Sequence, residues 1–182
     1  GKKLMTKAAE TLTPVSLELG GNDAMIVCND ADIKKAVDGA LWAGLSNAGQ
    51  SCAGVERIYV EENIYEQFVS LLKEEMKKLR IGIDKNCDVE IGSLTTINQL
   101  NTVKKHVNDA IEKGGKIFSP HSLSDELKKG FFHPPVIIEN ADNSMLAMTE
   151  ETFGPVLAIA KVKDINEAIQ KTNDSNLGLS AS

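Results

Sequence analysis

Strand-like and helix-like stretches alternate along these 182 residues, which constrains the fold more than any single motif. Residues 2–10 carry helical spacing until Thr13-Pro14 breaks it, and residues 15–19 alternate as a β-strand does. A second short strand covers 24–28. Asn29-Asp30-Ala31-Asp32 then offers N-cap side chains to a helix reaching about Ser46, with Ile33, Ala36, Val37, Ala40, Leu41 and Leu45 at helical intervals. Strand 57–60 precedes the clearest helix, 63–79, whose apolar stripe is Ile64, Phe68, Leu71, Leu72, Met76 and Leu79. Its glutamates come early and its lysines late, which suits the helix dipole. Another amphipathic helix covers 97–113 and stops at Gly114-Gly115. Residues 116–118, 132–138 and 156–162 read as strands, 119–129 as a polar surface loop, 165–172 as a helix, and 178–182 as the start of a further strand. Strands separated by helices of this length predict an α/β fold with a largely parallel sheet.

Composition narrows the functional classes. A net charge of −6 disfavours nucleic acid and anionic membrane surfaces as partners. No apolar run approaches the roughly 20 residues of a membrane span. Three cysteines are too few for a disulfide framework and point to a reduced, cytoplasmic setting. Cys28 ends the run Ala24-Met25-Ile26-Val27 and is expected as a buried core thiol, whereas Cys87 lies in the polar stretch Asp84-Lys85-Asn86-Cys87-Asp88. His106, His121 and His133 show no metal-ligand spacing, so no metal site is expected and each is read as a surface or edge residue.

Cys52 differs from the other thiols. It lies in Ser46-Asn47-Ala48-Gly49-Gln50-Ser51-Cys52-Ala53-Gly54, a loop of small residues between a helix and a strand. A thiol reacts as thiolate, best where backbone amides converge and bulky neighbours are absent. Glu18 lies 34 residues earlier, in Leu17-Glu18-Leu19-Gly20-Gly21, as a carboxylate at the end of a predicted strand followed by two glycines. A nucleophilic cysteine with a carboxylate base, and no well-placed histidine, narrows the chemistry considerably.

These two blocks, with Glu150-Glu151-Thr152-Phe153-Gly154-Pro155-Val156 and the closing Leu177-Gly178-Leu179-Ser180-Ala181-Ser182, resemble the NAD(P)-dependent aldehyde dehydrogenase superfamily in content, order and spacing. The resemblance spans nearly the whole chain and implies the family's three-layer α/β sandwich. It implies that Cys52 attacks an aldehyde carbonyl, that its backbone N–H helps hold the oxyanion, and that Glu18 activates the water that hydrolyses the thioester. It also implies that Glu151 bonds the nicotinamide ribose of NAD or NADP, that Phe153 packs near that ring, and that the Leu19 carbonyl meets the carboxamide.

The same resemblance makes residues 1–21 the C-terminal remnant of a dinucleotide-binding domain and 22–182 a catalytic domain cut short at its C-terminal end. The 182 residues alone are then expected to be inactive, and the full-length protein to form dimers or tetramers. Asn22 stands where many members have lysine, and Ser93 in Ile91-Gly92-Ser93-Leu94 where proline is usual. The competing expectations are a CoA-acylating or phosphorylating relative, in which another nucleophile resolves the thioester, and a non-catalytic interaction domain.

Overall fold

A computed structural model describes residues 1–83 and 86–182, so Asp84 and Lys85 of the polar stretch around Cys87 lie outside the described residues. In chain order the elements are α1 (Lys2–Ala9), β1 (Asp23–Val27), α2 (Ile33–Leu45), β2 (Val55–Glu61), α3 (Glu62–Met76), α4 (Ile97–Glu112), β3 (Lys116–Phe118), β4 (Val136–Glu139), α5 (Leu146–Thr149), β5 (Val156–Val162) and α6 (Ile165–Asn173). The five strands form one sheet in the order β1-β2-β5-β4-β3, parallel except for the antiparallel edge strand β3. Residue 182 exchanges backbone hydrogen bonds with Ala24 and Ile26, so the chain's last residues lie along the outer edge of β1.

Every residue of β2 and β4 is buried, as is all of β5 except Lys161. Successive strand side chains point to opposite faces, so both faces of the sheet are covered and the architecture is helix–sheet–helix. The helices form where the periodicity places apolar residues on one side. α3 buries Tyr65, Phe68, Val69, Leu72 and Met76, each aliphatic or aromatic side chain contributing about 1.5–3 kcal/mol on leaving water. Asp32 caps α2, Thr96 caps α4 and Asp164 caps α6, each by accepting a backbone N–H of the first turn. Among the described residues no helix is long and apolar enough to cross a membrane.

Four sequence expectations are corrected. Residues 15–19 belong to no strand; they are largely exposed, and a strand needs a neighbour to complete its ladder. β4 begins at Val136 because Pro134 and Pro135 have no N–H to donate. Cys28 is half-buried beyond the end of β1 rather than in the core. His106 is buried, 1% exposed, because it lies on the inward face of α4 with Leu100, Val103, Val107 and Ala110.

Candidate active site

The sheet explains why distant motifs meet. Residues 18–21 lead into β1, the Cys52 loop leads into β2, and residues 151–153 lead into β5. These three strands are adjacent and parallel, with Asp23 beside Val55 and Arg57 beside Ala158, so their entry loops lie side by side at the N-terminal edge. There Glu18, Leu19, Gly20, Cys52, Gln99, Glu151 and Phe153 line one cleft of about 350 Å³. All five sequence-predicted site residues share it. Glu18 and Leu19 are exposed, while Cys52, Glu151 and Phe153 are half-buried.

The Cys52 loop is held under strain. Asn47, Ala48 and Gly49 take left-handed backbone angles in succession, with φ of 54°, 56° and 74°. For residues other than glycine each such angle costs about 1 kcal/mol or more, and it persists only where the surroundings enforce it. Gln50 does much of the enforcing. Its amide donates to the Asn47 and Ser93 carbonyls at 3.1 and 3.3 Å, and its Oε1 accepts from the Thr95 N–H and hydroxyl at 2.8 and 2.9 Å. Ser93 thus contributes its carbonyl to a bonded turn. Past this strained stretch, Gly54 N–H bonds the Ser51 carbonyl and closes a tight turn that presents Cys52.

Gly49 combines a positive φ with close contact: a Cβ there would run into the Gly154 carbonyl. Gly49→Ala is therefore expected to lower the unfolding free energy by about 2 kcal/mol or more, read as a lower urea midpoint at unchanged slope. An unchanged midpoint would mean that the two loops do not need their close approach.

Gly20 and Gly21 serve the same end from the other side. A Cβ on Gly20 would occupy the Glu151 carboxylate, and one on Gly21 would come within 2.6 Å of the Cys52 carbonyl oxygen. With no side chain in the way, Gly21 N–H donates to Glu151 Oε1 at 3.1 Å. Asn22 adds a second tie to the same loop through Nδ2 and the Glu150 carbonyl at 3.3 Å.

Residues 152–153 are clamped by side chains that sequence reasoning did not single out. Glu56, in β2, accepts the Thr152 N–H at Oε2 and the Phe153 N–H at Oε1, both at 2.7 Å. Gln99 Nε2 donates to the Thr152 and Phe153 carbonyls at 2.6 and 3.0 Å, and His106 Nδ1 lies 3.0 Å from the Thr152 hydroxyl. His106 Nε2 is 3.5 Å from a Glu150 carboxylate oxygen. The clamp holds Phe153 at a φ of 48°, a strained angle for a bulky residue. Burial pushes the Glu56 carboxyl up to about 7; the two N–H bonds oppose this, and the Glu151 and Asp23 carboxylates add to it. Burial also holds the His106 imidazole below its ordinary value, outweighing the pull of Glu150.

Of these residues only His106 carried a signal in the sequence, falling in register with the apolar stripe of α4, whereas Glu56 stands just ahead of the predicted strand 57–60 and carried none. Among the described residues, no group of three or more His, Cys, Asp or Glu side chains is placed to hold a metal ion.

The sequence and the fold are similar to those of known proteins. The succinate semialdehyde dehydrogenase of Acinetobacter baylyi is 42% identical over 183 residues, which cover 100% of this chain and 37% of that protein. A succinate-semialdehyde dehydrogenase [NADP(+)] of Schizosaccharomyces pombe is 40% identical, over 98% of this chain and 36% of its own. The crystal structure of betaine aldehyde dehydrogenase from Staphylococcus aureus in complex with NAD+ superposes with a TM-score of 0.92 at 37% identity, over 100% of this chain and 36% of that one. The chain thus spans little more than a third of the length of these relatives. The family model of the aldehyde dehydrogenase family matches residues 1–182, and the chain belongs to that family.

Proposed function

We propose that this chain carries the catalytic part of an NAD(P)+-dependent aldehyde dehydrogenase that oxidises an aldehyde to a carboxylic acid. The observation that carries the reading is the convergence of Cys52, Glu18, Leu19, Glu151 and Phe153, from three separate segments, on one cleft. In this reading residues 1–21 are the end of a dinucleotide-binding domain and 22–182 the catalytic domain. The donor set suits the cofactor. Glu151 offers a carboxylate acceptor for a ribose hydroxyl pair, Phe153 a ring in the same cleft, and Leu19 its carbonyl to the carboxamide.

The Cys52 thiolate forms a C–S bond to the aldehyde carbon, and the carbonyl π electrons move to oxygen, where the Cys52 backbone N–H helps stabilise the oxyanion. NAD(P)+, when bound, supplies the acceptor for the hydride released as the C=O bond re-forms. Glu18 then takes a proton from water as that water attacks the resulting thioester, and the Cys52 thiolate departs from the carboxylic acid product. The exposure of Glu18 leaves it in reach of water. A reducing, cytoplasmic setting suits the three free thiols. A homo-oligomer, a dimer or tetramer, suits the exposed Trp42 on α2 beside the apolar groove formed with Leu41, Leu45 and Leu79.

The test is alkylation of the full-length enzyme by iodoacetamide, with peptide mapping and NAD(P)H formation followed in parallel. Succinate semialdehyde is the first substrate to try, because two of the relatives are named for it. Activity is expected to fall in proportion to Cys52 labelling. Activity that survives complete labelling would overturn the reading, and acid formation that requires CoA or phosphate would transfer the chain to the acylating or phosphorylating relatives.

A further inference from the structure

The strongest unassigned group in the molecule is the buried Glu56 carboxylate, four residues after Cys52 and outside the cleft. It is 5% exposed, and both of its oxygens are spent on two consecutive backbone N–H groups of one loop. That loop has no ladder of its own: Glu56 takes the N–H groups of Thr152 and Phe153, and Gln99 takes their carbonyls. Side chains from β2 and α4 therefore hold two peptide units that would otherwise relax, with Phe153 in the left-handed region. Glu151 directly precedes the clamped pair, and its carboxylate meets Gly21.

We propose that Glu56 is a positioning residue, whose two-pronged bond to the Thr152 and Phe153 amides holds the loop that presents Glu151 and Phe153 to the cofactor and so sets cofactor affinity. This rests on the reading of the cleft as an NAD(P) site. The bond is charge-assisted and geometrically specific: a carboxylate has acceptors for both amides, whereas a protonated carboxyl or a carboxamide has one acceptor oxygen and turns a donor toward the other N–H.

A pH dependence follows, and its sign is set by that count. Glu56 titrates near neutrality, so cofactor affinity is highest above about pH 7 and falls as the carboxylate is protonated below it. The charged groups facing the clamp are Asp23 from β1, Glu151 from the loop, and His106 from α4 with Glu150 and Lys105 beyond it. Cys52 and Glu18 border the adjoining cleft. Burial keeps His106 neutral above its lowered value, so it is not the group that titrates near pH 7.

The experiment measures NADH and NADPH binding to the full-length protein by fluorescence between about pH 6 and pH 8, for the wild type, Glu56→Gln and Glu56→Asp. Titration of the cofactor itself is common to all three proteins and cancels in the comparison. The wild type is expected to lose affinity about fivefold toward the acid end. Glu56→Gln is expected to bind about tenfold more weakly at the alkaline end and with no such dependence, with the cofactor KM rising while kcat changes less than about threefold. Glu56→Asp keeps the charge and should recover the pH dependence at intermediate affinity. A folded Glu56→Gln protein with wild-type affinity and pH profile would overturn the proposal. Should that variant not fold, a flat wild-type profile would overturn it just as directly. If Cys52-dependent activity is present and only the Glu56 effects are missing, the positioning role alone fails. If NADH and NADPH do not bind the wild type at all, the cofactor reading fails instead.

Discussion

Cys52→Ala is expected to reduce aldehyde oxidation by the full-length enzyme by at least about 10⁴-fold, followed as NAD(P)H absorbance. Without the sulfur no thiohemiacetal forms, and the remaining groups of the cleft have no acyl carrier to act on. The fold should tolerate the change, because Cys52 is half-buried and its turn is closed by backbone. The thermal midpoint should therefore move by no more than about 3 °C. Cys28→Ala and Cys87→Ala serve as controls. Neither thiol lines the cleft, and both variants should turn over at the wild-type rate. Loss of activity on replacing either one, with Cys52 intact, would place the nucleophile elsewhere.

Glu18→Gln is the second large effect, with a different kinetic shape. The amide cannot take a proton from water, so hydrolysis of the thioester should slow by roughly 10²–10⁴-fold while its formation proceeds. Rapid mixing should then show a burst of about one NAD(P)H per site followed by a slow phase. Steady-state turnover equal to the wild type would remove Glu18 from its role. Loss of the burst together with the steady state would instead assign it to the formation of the acyl group.

The fold was largely legible because the periodic segments are long and each local signal agrees with its neighbours. The expected strands 116–118 and 156–162 coincide with β3 and β5, and the Asp32 cap was readable from its residue type. The strand expected at 15–19 failed because alternation says nothing about whether a partner strand exists. The four-residue α5 was missed because one helical turn leaves no periodicity to count. For the site, the cysteine and glutamate blocks were readable as contiguous motifs. Their meeting was not, since it depends on β1, β2 and β5 becoming neighbours. The clamp was least readable of all. Glu56 reaches Thr152 across 96 positions, Gln99 across 53 and His106 across 46, and the sequence around each one gives ordinary strand or helix residues. His106 shows the cost of reading a residue by type: its spacing within α4 already placed it on the buried face.

In the proposed reaction Cys52 carries the acyl group and Glu18 releases it. Mass spectrometry of full-length Glu18→Gln, quenched in acid after mixing with NAD(P)+ and succinate semialdehyde, tests this most directly. The expected result is a protein heavier by one acyl group, with the adduct mapping to the peptide that contains Cys52 and lost on treatment with hydroxylamine. NAD(P)H formation with no adduct, or an adduct on Cys28 or Cys87, would contradict it.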